Sequence, residues 1–223
     1  KLFLQSDNVL TESAKIEVGP GPLALAVAEV DGGKRPHIAV LSGAGSRLAI
    51  TALTAERKFG PVATVALPGG GGDGKALPWT SVELGPGFLA VLPLAQEPLV
   101  FAPYNKGKWD KADPGLVATA LAGEGVITAA AVVRGLADAR RLALLIAGKD
   151  PARECRLVVL AEKGGRFAPL GKPLVLPGLG LGLLAHDFNQ DGQDDLFVVL
   201  LEEYGFCFAR GAEFAPGPRF AAP

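Results

Sequence analysis

The chain has 223 residues, 49% of them apolar, with 22 Lys and Arg against 23 Asp and Glu and a formal net charge of −1. That is enough to bury the core of one all-β domain or two smaller units, while the interspersed charge offers no basic stripe for nucleic acid and no polybasic run for anionic lipid. No apolar run reaches the roughly 18 residues of a membrane helix, and 30 Gly with 18 Pro, about a fifth of the chain against a usual roughly 12%, favour many short strands joined by turns.

Residues 1–20, "KLFLQSDNVLTESAKIEVGP", open with neither Met nor a charged-then-apolar leader, as expected of a piece of a longer protein. They contain one short apolar strand, a polar turn and a second strand. Four fuller segments follow, marked by "IAVL" at 38–41, "LAVL" at 89–92, "LALL" at 142–145 and "LFVV" at 196–199, whose starts lie 51, 53 and 54 residues apart. Before each lies another apolar segment: "PLALAVAEV", the weaker "WTSVELG", "VITAAAVV" and "LGLLAHDF". After each comes a further strand, "RLAITAL", "PLVFAPY", "RLVVLAE" or "GFCFAR", then a hydrophilic turn with an aromatic and a last strand. One period thus holds four short strands, the unit of a β-propeller blade. The expected architecture is all-β, a β-propeller of four-stranded antiparallel blades. The blades fall at 21–72, 73–124, 125–178 and 179–223, and residues 1–20 match the second half of a preceding blade. Four blades and the tail of a fifth suit part of a larger propeller. The missing strands are expected from another segment of the parent protein or from a partner chain, paired with the "KLFLQ" strand.

Between the first two strands of the last repeat, "HDFNQDGQDDLFVV" reads D-x-N-x-D-G-x-x-D. Hard cations such as Ca2+ take six to eight oxygens, and alternate positions of a tight loop aim carboxylates and amides inward while Gly permits the turn. Asp187, Asn189, Asp191 and Asp195 would supply side-chain oxygens and Gln193 its main-chain carbonyl. An EF-hand begins alike, but its bidentate Glu position holds Val198 in an apolar strand. A polar turn without metal is the plainer alternative, in which three acids converge with nothing to offset their repulsion.

With that loop inside a four-strand repeat, the chain resembles the FG-GAP and VCBS family of propeller repeats found in integrin α-subunit heads and many bacterial secreted proteins. The last blade matches the family loop in full. The first, "AEVDGGKRPHIAVL", keeps Glu29 and Asp31 in the first two ligand places but has Gly33 and His37 in later ones, with Lys34 and Arg35 adding positive charge. The second, "VELGPGFLAVL", lacks the loop, and the third, "AVVRGLADARRLALL", carries arginines in place of acids. The resemblance implies an extracellular or periplasmic rigid binding platform.

Other features have ordinary explanations. "GGGGDGKA" at 69–76 is a near miss to a phosphate-cradling loop, with Ala76 replacing the needed hydroxyl and Pro78 where a helix should start, so a flexible connection is expected. "SGAGS" at 42–46 reads as a turn. Cys155 and Cys207 are too few for a disulfide framework and lack zinc-ligand spacing, which favours two buried thiols over a bridge. Of the two histidines, His37 and His186, the latter abuts the loop and could orient it but reads as a surface or packing residue, and Trp79 and Trp109 read as packing residues near turns.

No nucleophile and base, haem-attachment pattern or histidine cluster recommends catalysis. The functional expectation is a noncatalytic Ca2+-stabilised module for protein binding or assembly within a larger exported protein or complex. The alternative is a scaffold portion of a secreted or periplasmic enzyme or redox complex whose catalytic groups lie outside this chain.

Overall fold

In the computed structural model the described residues are 2–6, 9–15, 17–18, 21–30, 35–42, 47–56, 58–66, 79–85, 88–93, 100–105, 108–109, 125–134, 141–163, 166–211 and 213–222. The sequence features at 31–34, 43–46, 69–76 and 135–140 lie outside them, as do the side chains of Trp79 and Trp109. Every named element is a strand, the strand pairings whose register is described are all antiparallel, and no helix among the described residues is long and apolar enough to cross a membrane.

The chain divides into two compact units, residues 1–91 with 101–113, and residues 92–100 with 114–223. In the first, β1 (Leu2–Ser6) and β2 (Val9–Ala14) form a hairpin, and among the described residues β1 pairs with β2 alone. A four-stranded meander runs β3 (Pro22–Glu29), β4 (Pro36–Ser42), β5 (Arg47–Ala52), β6 (Ala63–Ala66). A second sheet, drawn mainly from this unit, runs β7 (Trp79–Gly85), β8 (Phe88–Pro93), β9 (Val100–Asn105), β10 (Lys108–Trp109), and β7 lies beside β3.

The second unit holds two sheets. One contains β11 (Ile127–Val133), β12 (Arg141–Ala147), β13 (Glu154–Lys163), β14 (Arg166–Pro169) and β15 (Leu174–Pro177). The other runs β16 (Gly180–His186), β17 (Asp195–Leu200), β18 (Glu203–Arg210), β19 (Glu213–Ala221), with β16 beside β11. Where four strands were expected, the first of these sheets has five. The ten-residue β13 pairs with β14 through Leu160↔Pro169 and with β15 through Glu154↔Pro177. Pro169 and Pro173 cannot donate to a ladder, and Gly171 turns with φ +74°. The outer edge therefore breaks in two.

Register ties three sheets together more closely than residue identity does. Val133↔Arg141 and His186↔Asp195 are the last pairs of the first hairpin in two of them, and Ala28↔His37 is the last but one in the third, where Glu29↔Pro36 follows. A bulge then recurs near the start of each first strand, between Pro22 and Ala24, Ile127 and Ala129, and Gly180 and Gly182. A bulge adds local twist, so the first strand of each of these sheets is bent at the same place.

The core of the second unit lies between its two sheets. Leu145, Leu157 and Cys155 pack with Leu196, Val198 and Cys207, all buried, each large aliphatic side chain contributing about 1.5–3 kcal/mol. Gly180 permits the close approach of β16: a Cβ there would stand 2.9 Å from Leu145 Cδ1 and 3.3 Å from Thr128 Oγ1.

Both cysteines are free and buried. Burial pushes both thiols up, Cys207 to about 11. Because the unfolded thiol loses its proton near the ordinary thiol value of 9.0 while the folded one keeps it, the unfolded state gains as pH rises through that window and stability falls. A thiol reagent at pH 8 is expected to label neither cysteine in the native chain and both in denaturant; rapid native labelling would show that one of them is exposed.

Candidate metal centre

The connection from β16 to β17 spans residues 187–194, and its polar side chains bond mainly to its own backbone. Asp187 Oδ1 accepts from the Asp191 N–H at 3.0 Å and Oδ2 from the Gly192 N–H at 2.9 Å. Asn189 Oδ1 accepts from the same Asp191 N–H at 2.9 Å, so the Asp187 and Asn189 oxygens meet on one side of the turn. Asp191 Oδ1 accepts from the Gln193 N–H at 2.9 Å and its Oδ2 from Asn189 Nδ2 at 3.1 Å. Two residues take left-handed backbone here, Gln190 at φ +61° and Gly192 at φ +87°. The second is where glycine costs nothing.

Asp195 stands apart from that cluster. Its residue is fully buried, and its carboxylate is a three-way staple: Oδ2 accepts from the Phe188 and Asn189 N–H groups at 3.1 and 3.3 Å, and Oδ1 from the Ala209 N–H on β18 at 2.9 Å. It fastens the loop down onto its own sheet. The Gln193 side-chain Oε1 is buried with no hydrogen-bond partner. Among the described residues no three His, Cys, Asp or Glu side chains form a metal-holding group by themselves. The donors are instead mixed: the carboxylates of Asp187 and Asp191, the amide of Asn189, and carbonyl oxygen at Gln193. Each singly bonded oxygen keeps a lone pair, and an all-oxygen set on a short loop suits a hard cation.

Asp194, which the motif treats as a spacer, is the residue sequence reasoning missed. Its side chain is 5% exposed and meets Arg134, at the end of β11, whose side chain is 68% exposed. Arg134 Nη2 donates to Oδ1 at 3.0 Å and Nε to both oxygens at 3.2 Å. The backbone joins in as well: the Arg134 N–H donates to the Asp194 side-chain Oδ2 at 2.8 Å, and the Asp194 N–H to the Arg134 carbonyl at 3.0 Å. The available signal was the Asp194–Asp195 pair itself, two adjacent acids opening a strand and therefore facing opposite ways, each in need of a partner.

Register also locates the other repeats' equivalents. Glu29 and His37 hold the places of Asp187 and Asp195 in the first sheet, with His37 buried, and Arg134 and Arg141 hold them in the β11–β15 sheet. His186 is exposed, with its ring edge-on to Phe188 at 5.2 Å. Phe188 continues into a run of rings over one face of β17–β19, through Phe206, Phe197, Tyr204 and Phe220, with centroids 5.1 to 5.7 Å apart.

No family model and no curated protein matches the chain. Among solved structures, the PQQ-bound aldose sugar dehydrogenase of Streptomyces coelicolor is similar at 11% identity over 91% of this chain and 81% of that one, with a TM-score of 0.35. At that score the likeness carries no argument about fold or activity.

Proposed function

We propose that the chain is a noncatalytic module of β-propeller type, stabilised by one Ca2+ in loop 187–195 and serving protein binding or assembly within a larger exported protein. The observation that carries the reading is the loop: side-chain oxygens of Asp187, Asn189 and Asp191, each tethered to the backbone of one short turn, with the main-chain carbonyl of Gln193 as the further oxygen the motif supplies. The propeller element is supported by first strands lying side by side, β3 by β7 and β11 by β16, and by the bulge that recurs in three sheets. The binding element is supported by the aromatic face of β17–β19, where Phe220 is 46%, Phe188 37% and the adjoining Leu184 56% exposed. Contiguous apolar surface of this kind marks interaction sites. When bound, the ion neutralises Asp187 and Asp191 and cross-links the turn.

Ca2+ at about 100 times its dissociation constant is expected to stabilise the fold by roughly 2.7 kcal/mol, seen as a higher melting temperature that chelator reverses. Asp191→Ala should remove the response. An identical melt with and without chelator overturns the cation reading. The purified chain is also expected to turn over no hydrolase or redox substrate; activity that persisted through repurification would overturn the noncatalytic one.

A further inference from the structure

We infer that Arg134, in the neighbouring sheet, is a positioning residue for the cation loop of the last sheet, so that Ca2+ affinity at 187–195 depends on the contact between Arg134, just past β11, and Asp194, just before β17. The inference rests on the Ca2+ reading above. Its geometry lies in one peptide unit. The Asp194 N–H donates to the Arg134 carbonyl at 3.0 Å, and the chain has no cis peptide among its described residues. In a trans peptide the C=O and N–H point in opposite directions. Fixing the Asp194 N–H toward Arg134 therefore fixes the Gln193 carbonyl away from it, and that carbonyl is the main-chain ligand of the motif.

The guanidinium holds this arrangement. It grips both oxygens of a carboxylate that is almost wholly buried, in the planar fork geometry that lysine cannot reproduce. Four carboxylates, at Asp187, Asp191, Asp194 and Asp195, stand within nine residues. Two are offered to the cation and Asp195 is stapled to backbone N–H groups; Arg134 supplies the permanent counter-charge for Asp194. Arg134 also occupies, in its own sheet, the register place of Asp187. The arginine that removes a cation loop from the third repeat thus secures the loop of the fourth. Partners that orient ligands without binding metal typically change affinity by roughly 10–100-fold.

The test is calorimetric titration of Ca2+ into the full chain and its Arg134→Met, Arg134→Lys and Asp194→Asn variants, with melting curves in chelator to confirm folding. Arg134→Met and Asp194→Asn are expected to weaken Ca2+ binding by roughly tenfold or more, and Arg134→Lys to restore part of the loss relative to Met. The opposing effect is simple electrostatics, since deleting a cation beside an acidic loop should tighten Ca2+ binding. Unchanged or tighter binding in the Met variant, or in Asp194→Asn where the Met variant does not fold, overturns the positioning role while leaving the Ca2+ reading intact. Absence of binding by the unmodified chain overturns both.

Discussion

Asp195→Ala is expected to destabilise the second unit by about 3–5 kcal/mol, more than any other substitution in the loop, because it strands buried donors. The carboxylate accepts three backbone N–H groups, from Phe188, Asn189 and Ala209, and the residue has no exposed surface. Alanine leaves a void and no acceptor for the Ala209 N–H, the most deeply buried of the three. Asp195→Asn keeps the shape and one good acceptor oxygen, so it should fall between alanine and the unmodified chain. The control separates this staple from the cation. In chelator Asp191→Ala has no bound ion left to lose, and its deficit should shrink to that of the short turn bonds it made. The deficit of Asp195→Ala should persist there nearly undiminished. Urea unfolding of both variants with and without Ca2+ measures this, and equal deficits in chelator would show that Asp195 is no more structural than Asp191.

That distinction was only half legible in the sequence. The motif placed Asp187, Asn189, Asp191, Gln193 and Asp195 in one loop, and alternation correctly set Gly192 where the backbone turns left-handed. It could not assign the separate work of the last acid, because D-x-N-x-D-G-x-x-D specifies spacing along the chain, whereas the Ala209 N–H that Asp195 serves comes from a strand 14 residues on. Arg134 was legible only as a departure from the family pattern; its partner lies 60 residues away. At the level of fold, the short apolar cores of four strands gave the repeat period plainly, since "IAVL" and its relatives recur with little change. The shared bulge was not visible, because the residues between the register-shifted pairs, Leu23, Thr128 and Leu181, are not ones that mark a bulge in a sequence. The divided edge at β14 and β15 was written in "APLGKP", two prolines around a glycine, but prolines are common enough in this chain that no one of them stands out.

The packing of β16 on the adjacent sheet makes the second large prediction, one that pairs opposite errors. Leu145 is fully buried on β12, and Leu145→Ala is expected to cost about 2.7–5 kcal/mol by transfer and cavity terms together. Gly180→Ala errs the other way. Its Cβ would sit 2.9 Å from Leu145 Cδ1, 3.2 Å from Leu145 Cβ and 3.3 Å from Thr128 Oγ1. The end of Leu145 can swing aside, but its Cβ moves only with the strand, so a cost of about 1–3 kcal/mol follows. The backbone at Gly180 is not in the left-handed region, hence the penalty is one of space and not of φ. Combining the two removes the obstructing Cδ1 and places a methyl group at the edge of the cavity it leaves. The double variant should therefore be more stable than the sum of the single effects predicts, by about 1 kcal/mol, a coupling in the range found for residues in direct contact. Urea unfolding of all four proteins closes the cycle. Strict additivity would mean that β16 relaxes freely against β12, in which case the close approach at Gly180 is incidental to how the two sheets hold together.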